Sequence, residues 1–308
     1  MRGLHDIEGR FSHQALFYRD TQDYLAGTVP FILRGLAQGE SVVVAVPEHH
    51  IRLLERALGP AADRIRLLDM NDVGRNPGRV LPTLLRFFSD AQGPARLLGE
   101  PVWQGRSTEE YLACVQHEAL INLAFADWAA TFLCPYDINI LSPEAVADVE
   151  ATHTVLVDST GTWPSTAYAP HTAYERCNVP LPIPDGAFTL PFDIEALSEV
   201  RRTATEFAAC AGFGENRLQD VALAVGEICA NSVQHGGGRG VFAIWRHEDG
   251  VVFEVTDKGR LTDPLAGRRP PAAHQYGGWG LLLVNQISDL VRTHTGPEGL
   301  TTQVYLRW

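Results

Sequence analysis

Between residues 158 and 186 the chain breaks its own pattern. Pro164, Pro170, Pro180, Pro182 and Pro184 stand there among scattered Ser, Thr and Gly. Proline has no backbone N–H and clashes with a preceding helical turn, so neither a long helix nor a central strand runs through such a stretch. Residues 158–187 read as an extended linker, with Trp163, Tyr168 and Tyr174 offering apolar surface that packs part of it on a domain. A chain of 308 residues suits two domains, and this break sets them at 1–157 and 188–308.

The first part alternates short apolar runs with amphipathic stretches. Ser41–Val46 (SVVVAV) is a β-branched run closed by Pro47, and 64–68, 95–98 and 131–136 (TFLCPY) are further strand candidates. Between them, 50–58, 80–91 and 108–125 carry helical spacing. Strand and helix in turn predict a parallel sheet with crossover helices.

The last part changes style. Residues 188–192 alternate as a strand, 194–211 form a helix on Leu197, Val200, Ala204 and Phe207, and 216–235 form a second helix. Strands at 241–245 and 251–256 flank His247-Glu248-Asp249-Gly250, a hairpin signal. A polar loop over 258–276, a helix over 281–290 and a hairpin of 291–295 with 301–308 complete it. Helices beside an antiparallel sheet predict an α+β two-layer sandwich.

Four exclusions narrow the reading. Lys258 is the only lysine, and Gly259-Arg260 follow it, so no P-loop of the G-x-x-x-x-G-K-[ST] form exists here. The net charge of -12 argues against a surface that tracks nucleic-acid phosphates. Cys114, Cys134, Cys177, Cys210 and Cys229 are odd in number and show no C-x-x-C spacing, so reduced buried thiols are expected rather than disulfides or zinc. An N-terminus without an apolar h-region, and no run of about 18 apolar residues, predict a cytoplasmic chain off the membrane.

Three motifs fall in the last part. Glu227-x-x-x-Asn231 sets a carboxylate and a carboxamide on one helix face, a pair suited to orienting a hydroxyl and holding Mg²⁺. Asp257-x-Gly259 closes the strand VVFEVTD, where an acid can accept from an adenine amino group and a glycine admits close backbone approach. Gly277-Gly278-Trp279-Gly280-Leu281 opens the last helix, exposing N–H groups and a positive dipole end to phosphates. Taken singly, each is common: a polar helix face, a turn, a helix start.

Their order is another matter. E-x-x-x-N on a helix, D-x-G after a hairpin, a loop, then G-x-G before a helix resembles the N, G1 and G2 boxes of the GHKL ATPase superfamily. DKGRLTDPLAGR followed by GGWGLLLVNQISDLV resembles its anti-sigma regulatory factor branch of serine/threonine-protein kinases, of actinobacterial type. The resemblance implies a GHKL-type ATP-binding domain over 188–308. By position it implies Glu227 as catalytic base, Asn231 as Mg²⁺ ligand, Asp257 with Gly259 at the adenine, Gly278, Gly280 and Leu281 at the phosphates, and 260–276 as the ATP lid. ATP and Mg²⁺ are the implied cofactors. The implied partner is a STAS-domain anti-anti-sigma factor phosphorylated on Ser/Thr, a sigma factor sequestered by the domain, or both, with a homodimer also open.

Two departures bear on turnover. Leu261 stands where relatives carry a second glycine, and Trp279 stands where a small or basic residue is frequent. They keep open a catalytically inactive ATP-binding module whose partner surface is set by nucleotide and sensory ligand. A histidine autokinase would need an acceptor helical hairpin ahead of the ATP domain, which the proline-rich stretch does not offer. His235, one turn beyond Asn231, reads as a structural histidine or a support of the site.

The first part, over about 13–157, resembles the MEDS sensory domain, related to a RecA-like core but here without a P-loop. The resemblance rests on His13-Gln-Ala-Leu-Phe-Tyr, Gly39-Glu40 before SVVVAVPE, Gly99-Glu100, Glu118, and Leu133-Cys134-Pro-Tyr136-Asp137. His13, Glu40, Glu100, Glu118 and Asp137 are either lining of a pocket for a small-molecule signal or ordinary caps and core hydrogen bonds. A metal at Glu48-His49-His50 is disfavoured, because adjacent helical residues diverge.

Overall fold

The computed structural model describes residues 11–91, 93–102, 106–271 and 278–308. The chain divides into two compact units, one of residues up to Cys177 other than Gly78–Pro82, the other of Gly78–Pro82 and Asn178–Trp308. Among the described residues no helix is long and apolar enough to cross a membrane.

The first unit runs β1 (Ser12–Tyr18), α1 (Thr21–Ala37), β2 (Ser41–Val46), α2 (Glu48–Leu58), β3 (Arg66–Asp69), α3 (Met70–Val73), α4 (Pro77–Asp90, apart from Gly78–Pro82), β4 (Ala95–Gly99), α5 (Thr108–Ala124), β5 (Ala130–Asp137), α6 (Pro143–Thr152), β6 (Val155–Asp158), β7 (Gly161–Pro164) and α7 (Pro170–Arg176). Its sheet has the order β3-β2-β4-β5-β1-β6-β7. The pairs from β3 through β6 are parallel, and β7 closes the edge antiparallel to β6. The sheet is thus mixed, an antiparallel edge on the expected parallel core.

Both faces of this sheet are covered, as crossover connections require. Along β1, Leu16 and Tyr18 join Tyr24, Ile32 and Val44 in the cluster under α1 and α2. Ala15 and Phe17 face the other way, with Cys134, Tyr136 and Val149. The period of two therefore sends His13 to the second face, together with Cys134 on β5. Helix α5 on that side starts at a complete capping box, Ser107 with Glu110.

Residues 158–187 are not an extended linker throughout. Asp158 caps the β6–β7 turn by accepting from Thr160 N–H at 2.7 Å, and α7 packs Ala173 and Cys177 against Val115 and Ala151. Pro170 sits at the start of α7, where a missing N–H is harmless, so a short helix forms within the stretch read as a linker.

The second unit runs β8 (Phe188–Asp193), α8 (Leu197–Ala211), α9 (Glu215–His235), β9 (Arg239–His247), β10 (Gly250–Asp257), α10 (Trp279–Ile287), β11 (Leu290–Gly296) and β12 (Gly299–Arg307). Its antiparallel sheet has the order β11-β12-β10-β9-β8. Val251, Phe253 and Val255 of β10, with Val304 and Leu306 of β12, pack on Val200, Ala204, Val221, Val225 and Ile228 of α8 and α9. This is the expected two-layer arrangement. On the sheet's second face Gln303 Nε2 donates to Glu254 at 2.7 Å and to Pro182 O at 3.2 Å, so the residues after Cys177 cover part of it.

Candidate functional site

Helix α9 buries Val221, Ala224, Val225, Ile228 and Ser232, which leaves Glu227, Asn231 and His235 on an adjoining stripe at spacings of four. The helix stops at Gly236, whose position is dictated by β10. A Cβ at Gly236 would fall 2.4 Å from the Asp257 carboxyl carbon. The alternation that sends Val251, Phe253 and Val255 toward the helices sends Asp257 there too, into the angle where α9 ends.

Asp257 is nearly enclosed and held from two sides. Its Oδ2 accepts from Ser232 Oγ at 2.5 Å, and its Oδ1 accepts from Gly259 N–H at 2.7 Å. Lys258 N–H donates to Gly236 O at 3.1 Å. A side chain at Gly259 would strike Asp257 Oδ1 and His235 O, so the two backbones meet too closely for any residue but glycine.

Helix α10 opens at Gly278, whose φ of 85° lies in the left-handed region. Gly280 follows against α9: a Cβ there would collide with Glu227 Oε2. Asn285, a turn further on, donates to Leu281 O at 3.0 Å and to Gly267 O at 3.1 Å, which ties the loop before α10 to the helix. Within that loop Leu265 is buried, and Asp263 accepts from Leu265 N–H at 3.0 Å and from Arg269 at 2.9 Å.

These elements enclose an open cleft of about 710 Å³. Asn231, His235, Asp257, Gly259, Gly278, Gly280 and Leu281 line it, and so do Ser232, Arg260, Arg269 and the cross-strand pair Thr293 and Thr302. Glu227 reaches its edge through Gly280. Gly277 and residues 272–276 of the expected lid lie outside the described residues. Of the two departures, Leu261 lines the cleft with an ordinary negative φ, so this backbone does not require glycine there. Trp279 is 56% exposed and is not part of the lining. Ser232, Thr293 and Thr302 escaped sequence reading, since a hydroxyl mid-helix or on a strand carries no motif.

The five polar residues of the first unit do not share a pocket. Glu40 pairs with the buried Arg96. Glu100 and Asp137 line a cleft of about 480 Å³ at the carboxyl ends of β1, β2, β4 and β5, where His50 Nδ1 lies 2.7 Å from Glu100 Oε2. Burial raises the Glu100 carboxyl above its ordinary range, against the opposing pull of His50. His13 and Glu118 lie elsewhere, in a buried cluster with Cys134 and His153. The cysteines are free, four of them buried and Cys210 exposed.

A five-stranded antiparallel sheet under three helices, with a glycine-framed cleft between α9, α10 and the end of β10, defines a histidine kinase-like ATPase domain. The family model of that description matches residues 190–308, and the model for MEDS, the methanogen/methylotroph DcmR sensory domain, matches 12–154. Serine-protein kinase RsbW of Halalkalibacterium halodurans is 31% identical over 115 residues, covering 33% of this chain and 71% of that protein. RsbW of Bacillus thuringiensis and of Bacillus cereus are each 26% identical over 125 residues, 36% of this chain and 78% of those proteins. The chain belongs to the RsbW family through its C-terminal domain and carries a MEDS domain ahead of it.

Proposed function

We propose that this chain is a signal-responsive anti-sigma regulatory factor. Its C-terminal domain binds ATP with Mg²⁺ and phosphorylates a serine or threonine of a STAS-domain anti-anti-sigma partner, sequesters a sigma factor, or does both. The MEDS domain receives the signal from a small-molecule ligand, and the chain works in the cytoplasm. The observation that carries this reading is that Glu227 meets Gly280 while Asn231 and Asp257 line the same cleft.

Each residue has a task its surroundings permit. Asp257 spends two acceptor positions on Ser232 and Gly259 and keeps two for an adenine amino group. The first turn of α10, opening at Gly278, carries no side-chain cap, so its N–H groups and the positive end of its dipole are available to phosphate oxygens. Arg260 brings to the cleft a positive charge that Trp279 does not supply, while Arg269 is paired there with Asp263. Mg²⁺ suits the amide oxygen of Asn231 and supplies neutralisation of phosphate charge when bound. Glu227 accepts the proton of the acceptor hydroxyl as phosphoryl transfer proceeds.

Incubating the protein with γ-labelled ATP and candidate STAS proteins tests this. Transfer that Glu227→Ala abolishes, with ATP binding retained, is the expected result. ATP binding without transfer to any STAS protein contradicts the kinase and leaves an ATP-set interaction module.

A further inference from the structure

The first unit encloses a second constellation. His13 on β1, Cys134 on β5, Glu118 on α5 and His153 just after α6 are all buried, and one ligand atom from each lies within 4.8 Å of the other three. We propose that these four side chains form a closed site for one divalent transition-metal ion of the zinc type.

Hydrogen-bond partners fix where the ring protons sit. Asn122 Nδ2 donates to Glu118 O at 3.0 Å and to Thr152 O at 2.9 Å, which fixes its amide and leaves Oδ1 as an acceptor. His13 Nδ1 faces that Oδ1 at 3.3 Å and Thr152 O at 3.2 Å. Both are acceptors, so His13 carries a proton on Nδ1. His153 Nδ1 faces Val149 O at 2.9 Å, and the same reasoning puts a proton there. In the neutral rings both Nε2 atoms are then bare lone pairs.

Those lone pairs converge on a carboxylate. Glu118 Oε2 lies 3.1 Å from His13 Nε2 and 3.2 Å from His153 Nε2, and neither Glu118 oxygen meets a donor in hydrogen-bond geometry among the described residues. The Cys134 thiol, 3.4 Å from His13 Nε2, and the Tyr136 hydroxyl, 3.5 Å from His153 Nε2, could each serve an imidazole, yet Glu118 would still lack a donor. Acceptors aimed at one another in a dry interior cost free energy that a cation between them removes.

The donor set selects the ion. Two imidazoles, a thiolate and a carboxylate suit zinc and its neighbours, whereas Mg²⁺ and Ca²⁺ take oxygen. Tetrahedral bonds of about 2.0–2.3 Å place donors roughly 3.3–3.8 Å apart, close to the separations found here. Thiolate and carboxylate together balance a dication, so the buried site is neutral. Each histidine donates its second N–H to a carbonyl, the usual outer support of a metal-bound imidazole. Complete burial leaves no open coordination position, which marks a structural ion.

The test uses the full chain without a histidine tag, stripped by chelator and dialysed. Addition of Zn²⁺ raises its melting temperature, and metal analysis finds one ion per chain. Co²⁺ in its place gives visible ligand-field bands with an intense near-ultraviolet thiolate band. Cys134→Ser loses the thiolate band, and both it and Glu118→Gln bind metal more than roughly 100-fold weaker, beyond the effect of an outer-shell change. Asn122→Leu weakens binding by roughly 10- to 100-fold while keeping the band. No uptake of either ion by the stripped wild type overturns the proposal. So does a cobalt spectrum without the thiolate band, or a folded Cys134→Ser that binds as tightly as wild type.

Discussion

The Ser232 hydroxyl donates a 2.5 Å hydrogen bond to Asp257 Oδ2, joining the last turns of α9 to the end of β10. The contact fixes the carboxylate that the proposed function sets at the adenine. Ser232→Ala removes one charge-assisted bond from an acid that keeps Gly259 N–H. The expected loss of ATP affinity is about tenfold, read by calorimetry, with the fold intact by circular dichroism.

Gly280→Ala separates binding from transfer. The new methyl meets Glu227 Oε2, the far end of a flexible side chain, so the helix can form while the carboxylate is displaced. Phosphoryl transfer to a STAS partner should fall by about 10²-fold or more, the usual worth of a positioned base, with a much smaller change in ATP affinity. Labelled transfer and calorimetry on the same variant check the split.

Gly236→Ala is the opposite case. Its methyl would meet a carboxylate pinned by Ser232 and Gly259, which cannot swing aside without breaking both bonds. The expected destabilisation is about 1–3 kcal/mol, seen in urea unfolding, together with weaker ATP binding.

The second face of the sheet carries a pH dependence. Burial raises the Glu254 carboxyl above its ordinary range, partly opposed by hydrogen bonds from Gln303 and Thr256. A group raised in the folded state favours folding below its unfolded pKa and loses that contribution as pH rises through the folded value. Glu254→Gln therefore stabilises the protein at pH 8, a gain that shrinks toward pH 4. Urea midpoints across that range measure it.

What the sequence disclosed follows from the length scale of each signal. Ser41–Val46 and Gly250–Asp257 are local patterns of burial, readable without tertiary context, and Glu227, Asn231, Asp257, Gly259, Gly278 and Gly280 are named by ordered motifs. Helix α1 was not read from the sequence; it carries Pro30 inside it, a residue that forfeits a hydrogen bond which packing of Tyr24, Phe31 and Ile32 on the sheet offsets. Helix α7 escaped within the proline-rich stretch, its own proline at the first turn. Cys134 and His13 face one another because β1 pairs with β5, a register that no local spacing encodes, so the buried cluster was invisible as a group. Ser232 looked like any small helical residue until Asp257 was set beside it.

The most direct measurement is calorimetric titration of the full chain with ATP and Mg²⁺, run beside Asp257→Ala. One nucleotide bound per chain, with binding lost in the variant, is the result this account predicts. No uptake by the wild type, or equal uptake by Asp257→Ala, would contradict the claim that α9, α10 and the end of β10 close on a single adenine nucleotide.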